Sequence, residues 1–60
     1  MKLYDKVILT EEFDNYKAGT EGIIVELYDD LAYLEMIDSD GNTLGVMYDV
    51  PLSILEFQSN

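Results

Sequence analysis

The chain has no cysteine, histidine, arginine or tryptophan in its sixty residues, and only three basic side chains, Lys2, Lys6 and Lys17, against thirteen acidic ones. Each absence removes a class of chemistry. Without histidine or cysteine there is no side chain that titrates near neutrality in its ordinary state, no thiol nucleophile and no soft metal ligand. Without arginine there is no bidentate clamp for phosphate. Without cysteine neither a disulfide nor a zinc ion can staple the fold, so packing, alone or with a partner, must hold it, and self-association stays open. One proline and four glycines leave few breakers.

Sixty residues make a single domain, 1–60, and a chain this short buries only about 60% of its unfolded surface. The hydrophobic fraction of 48% is nonetheless that of a folded chain and is spread along its length. Met1-Lys2-Leu3-Tyr4-Asp5-Lys6 lacks the apolar run of a secretory signal, and no stretch approaches the roughly 18 apolar residues of a membrane span. A cytoplasmic protein is the expectation. The formal charge of −10 repels nucleic-acid phosphate and anionic lipid, which argues against direct contact with either and makes a basic protein the natural partner.

Alternation supplies the strands. Val7-Ile8-Leu9 is a β-branched run, followed by a polar, acidic loop from Thr10 to Gly19. From Thr20 to Tyr28 the period of two sets Ile23, Val25 and Leu27 on one face and Ile24, Glu26 and Tyr28 on the other. Asp29-Asp30 signals a turn. Leu31 to Ile37 resumes with Leu34 and Met36 on one side and Tyr33, Glu35 and Ile37 on the other. Asp38-Ser39-Asp40-Gly41-Asn42 predicts a hairpin, since Asp-Gly suits positive φ. Thr43 to Val50 alternates again, with Leu44, Val46, Tyr48 and Val50 together, and Pro51 ends the strand. A helical turn at Leu52-Ser53 and a last strand over Ile54 to Phe57 complete the pattern. The fold is predicted all-β: a small five-stranded SH3-like barrel with a long first loop and one helical turn before the last strand, closure removing most exposed edges.

The stretches Tyr16 to Glu26, which reads YKAGTEGIIVE, and Leu34 to Gly41, which reads LEMIDSDG, resemble small bacterial KOW-like and SH3-like domains of unknown function. The likeness spans nearly the whole chain and lies in structural positions: Gly19 and Gly22 bracketing a bulged strand entry, and Asp40-Gly41 in a turn. It implies a fold and no chemistry.

Two groups of residues are candidates for contact. The loop Glu11-Glu12-Phe13-Asp14-Asn15-Tyr16 sets three carboxylates beside two aromatics, the combination of anchor and charge that protein-binding surfaces use. Phe13 and Tyr16 have an alternative role as a lid on the barrel. The second and third strands give an outward stripe of Ile24, Glu26, Tyr28, Tyr33, Glu35 and Ile37. A two-residue Asp29-Asp30 turn sets Glu26 opposite Tyr33; a four-residue turn sets Glu26 against Glu35, a like-charge pair.

Other readings fail on what they need. Asp38-x-Asp40-Gly41-Asn42 has its glycine too early for a calcium loop and no closing glutamate. Leu3-Tyr4-Asp5 echoes the aromatic motif of peptide-binding SH3 domains, but there is no tryptophan to wall a polyproline groove. Three lysines cannot hold phosphate against thirteen acids. A small barrel filled by its own side chains offers an enzyme no ligand-sized pocket. No cofactor and no catalysis are expected. The sequence points to an inhibitor or immunity-type protein that covers the basic cleft of a partner such as a nuclease toxin, with an accessory SH3-like module, in a complex or a homo-oligomer, as the alternative.

Overall fold

The computed structural model describes residues 1–58. Strands β1 (Lys6–Leu9), β2 (Glu21–Tyr28), β3 (Leu31–Ile37), β4 (Thr43–Pro51) and β5 (Leu55–Phe57) form one antiparallel sheet, with a 3-10 turn at Leu52–Ile54. Strand order is β4-β3-β2-β1-β5, the order of the SH3-like barrel. The 3-10 turn joins the two end strands, and its Leu52 amide donates to the Asp30 carbonyl at the β2–β3 turn (2.9 Å). Among the described residues, closure of the sheet is by this turn and not by a ladder: β4 pairs with β3 alone and β5 with β1 alone.

The core is made of Val7, Leu9, Ile24, Ala32, Leu34, Met36, Met47, Val50 and Leu55. A row of facing residues, Val7, Gly22, Met36 and Gly45, runs across four strands on this inner side. Its glycines admit their neighbours: a Cβ on Gly22 would sit 3.0 Å from the Met36 sulfur, and one on Gly45 would sit 2.7 Å from the Tyr16 hydroxyl. A glycine bulge marks the entry to β2: Gly19, at φ 92°, donates its amide to the Leu9 carbonyl (2.8 Å) while the Leu9 amide donates to the Thr20 carbonyl (3.0 Å), so two residues oppose one before β1 pairs in unbroken register from Glu21 on.

Further bulges inside β2 and β4 decide which residues face the core, and they overturn two alternations drawn from the sequence. In β2 the register shifts between Ile24 and Glu26, so Val25 is an extra residue. Ile24, expected on the outer stripe, is therefore fully buried at 0% exposure opposite Leu34, while Leu27 turns inward beyond the bulge. In β4 a shift at Leu44 and a second at Tyr48-Asp49, with Asp49 at φ 55°, bury Met47 and Val50. Leu44, Val46 and Tyr48, grouped with Val50 by simple alternation, face out.

The turns follow local chemistry. Tyr28 pairs with Leu31, so Asp29-Asp30 is a two-residue turn with Asp29 at φ 52°, and Glu26 stands opposite Tyr33. In the Asp38–Asn42 turn Gly41 alone has positive φ (87°). There the Asp38 carboxylate accepts from the amides of Asp40 and Asn42, both at 2.9 Å. These amides hold its pKa below the usual aspartate value, the Asn42 amide most. This carboxylate organises its own loop.

Candidate protein-binding face

The first loop folds back over the core. Phe13 and Tyr16 exchange backbone hydrogen bonds of 2.9 Å in each direction across Asp14 and Asn15, which take left-handed φ angles of 50° and 72°. Asp and Asn are the residues that tolerate this geometry best after glycine. The miniature hairpin presses both aromatic rings against the core, with the Tyr16 hydroxyl over Gly45. At the loop's start the Thr10 amide and hydroxyl both donate to the Ile54 carbonyl (2.8 and 3.0 Å). Phe13 and Tyr16 thus form the lid, and Glu11, Glu12 and Asp14 stand exposed around it.

The outer side of the sheet carries the second group. Glu26 and Tyr28 of β2, Tyr33 and Glu35 of β3, and Val46 and Tyr48 of β4 share it, with Glu35 paired between Ile23 and Val46. Three tyrosines pack edge to face: Tyr28 on Tyr33 with ring centroids 5.4 Å apart, and Tyr33 on Tyr48 at 4.9 Å. This is the arrangement that the ring quadrupole favours. The Tyr28 hydroxyl donates to the Asp49 carboxylate, and the Thr43 hydroxyl donates to Glu35. The result is a rigid aromatic platform with carboxylates at its border.

Tyr48, Val46, Leu44 and Asp49 were missed as face residues by sequence reasoning. Periodicity marks two sides of a strand without saying which is inward, and the inner side of β4 offers Gly45 and Met47, less apolar to the eye than Leu44, Val46 and Tyr48. The cue available was Asp49-Val50, where a charged residue interrupts the alternation and marks the bulge.

The loop and the stripe do not meet as one surface. Tyr16 lies over the inner side of β4 at Gly45, and the tyrosine platform lies on the outer side. An open groove of about 470 Å³ also runs across the outer sheet over Ile8, Glu21, Ile37 and Leu44, with Glu21 paired between Ile8 and Ile37 and Asp38 at its border. Its apolar side chains flank the Glu21 carboxylate, a combination that suits the stem and head of a lysine or arginine from elsewhere. Among the described residues, no three or more acidic side chains converge as a metal site, and no helix is long and apolar enough to cross a membrane.

No protein-family model, curated protein or solved structure matches this chain.

Proposed function

We propose that this chain is an acidic protein-binding module that holds a basic partner, in the manner of an inhibitor or immunity protein covering the cationic cleft of a nuclease toxin. One observation carries the reading: the tyrosine platform of Tyr28, Tyr33 and Tyr48, pre-ordered by its own contacts and bordered by Glu26, Glu35 and Asp49, on a chain of net charge −10. Rigid aromatics give contact area at low entropic cost. A cleft built for phosphate accepts carboxylates, and opposite charges speed encounter. The likeness to KOW-like and SH3-like domains belongs to this proposal as a kinship of fold, supported by the strand order.

The runner-up is an accessory SH3-like module that assembles with a larger complex or with itself. What favours it is the apolar exposure of β4, where Leu44 is 52% and Val46 47% exposed.

Stopped-flow association with cationic nucleases across ionic strength separates the two. Charge-led binding predicts an association rate that falls steeply with salt, slower association for Glu26→Gln/Glu35→Gln, and faster dissociation for Tyr48→Ala. Indifference to salt favours the accessory module, and no association at low ionic strength with any cationic partner ends the proposal.

A further inference from the structure

The edge of the sheet at β4 is open. Its backbone pairs on one side only, with β3, and among the described residues Thr43 to Val50 make no backbone hydrogen bond outside that ladder. The opposite edge, β5, is short and carries Glu56. From Thr43 to Tyr48, by contrast, no residue is charged, and Leu44, Val46 and Tyr48 project from the outer side, Tyr48 at 61% exposure. Natural sheets protect such edges with lysine, proline or bulges. Here Pro51 and the bulges at Leu44 and Tyr48-Asp49 shorten the accessible run without closing it.

We infer that β4 is a docking edge on which an extended, lysine- or arginine-bearing segment of the partner adds as a sixth strand. The inference deepens the proposal above and rests on it. Main-chain hydrogen bonds to the free edge supply affinity, and alternate side chains of the added strand supply selectivity. Those on the outer side run beside Leu44, Val46 and Tyr48, so the stem of a basic side chain lies on apolar surface while its head reaches Glu35 or Asp49, each on that same side. At the Leu44 end it reaches the border of the groove, which Leu44 and Asp38 line. Charge also chooses against a second copy. Pairing two β4 edges brings two bodies of charge −10 edge to edge, with Asp49 on each of the paired strands and Glu35 one strand behind it, so like charge opposes that pairing. The charge that keeps the edge from self-pairing selects a cationic strand for it.

The test uses two synthetic peptides with the intact chain: alternating lysine and valine, and the same sequence N-methylated at alternate residues so that charge is kept and strand pairing lost. At low ionic strength the plain peptide should bind, slow amide hydrogen exchange from Thr43 to Tyr48, and outlast its N-methylated twin by at least about tenfold in affinity. Equal affinity for both peptides, or protection elsewhere than β4, overturns the docking edge and leaves the charge-led reading standing. Failure of both peptides to bind overturns the edge and that reading together. A chain that sediments as a dimer on its own, with the same β4 amides already protected, overturns the inference in favour of a second copy.

Discussion

The carboxylate of Asp38 accepts from two amides of its own turn, and this explains both the turn and the residue's acidity. Because the folded-state pKa is depressed, the stabilising contribution is present above the unfolded value and is lost as pH falls through the folded one. Asp38 should be the last of the turn's aspartates to protonate in a carboxyl NMR titration, and Asp38→Asn should flatten the stability profile below the ordinary aspartate range. Ile24 makes the opposite case, a residue without polar duties whose whole role is volume. Ile24→Val should lower unfolding free energy by about 1 kcal/mol, read from the denaturant midpoint, with partner affinity per folded molecule unchanged. A loss of affinity in that variant would return Ile24 to the binding face.

At the scale of elements, the first loop and β4 are coupled through one contact. The Cβ that Gly45→Ala adds meets the Tyr16 hydroxyl oxygen at 2.7 Å, while the next ring atom stands 4.0 Å away, an ordinary contact. Gly45→Ala should therefore destabilise the protein by about 1 kcal/mol, and Tyr16→Phe should abolish most of that cost, a coupling visible in a double-mutant cycle. Equal costs in both backgrounds would mean that the lid does not rest on β4. The positive-φ pair Asp14-Asn15 holds the lid's own turn. Neutralising Glu11, Glu12 and Asp14 to amides keeps the fold, since asparagine suits the left-handed region at least as well as aspartate. The lid and the tyrosine platform sit on opposite sides of the sheet, so these changes test the loop apart from the stripe.

The whole molecule is a thin core inside a strongly negative shell. Among the described residues, nine buried apolar side chains and five partly buried ones support a body of charge −10, so self-repulsion opposes compactness. Raising sodium chloride from roughly 0.01 M to 0.5 M should raise the thermal midpoint, because it shortens the screening length from about 30 Å to a few ångströms. The same titration should weaken charge-led association. Stability and affinity are expected to move in opposite directions with salt, and a midpoint that falls instead would show that charge is not what limits this fold.

Sequence alone settled the class of the fold, the number of its strands and their succession along the chain, the places of the Asp29-Asp30 and Asp-Gly turns, and the acidity that frames any function, while the two-residue length of the first turn waited on the register of β2 and β3. These are written in local periods, turn residues and composition, which need no distant neighbour. Tertiary structure decided which side of each strand is inside. Val25 and Asp49 are surplus residues in bulges, and each breaks the parity of its strand, so that Ile24 lies in the core on the side opposite Glu26 and Tyr28, and Leu44, Val46 and Tyr48 face solvent on the side opposite Val50. A bulge exists only relative to the strand beside it, so a pattern read along one strand could not reveal it, nor show that β4 ends the sheet with its edge free.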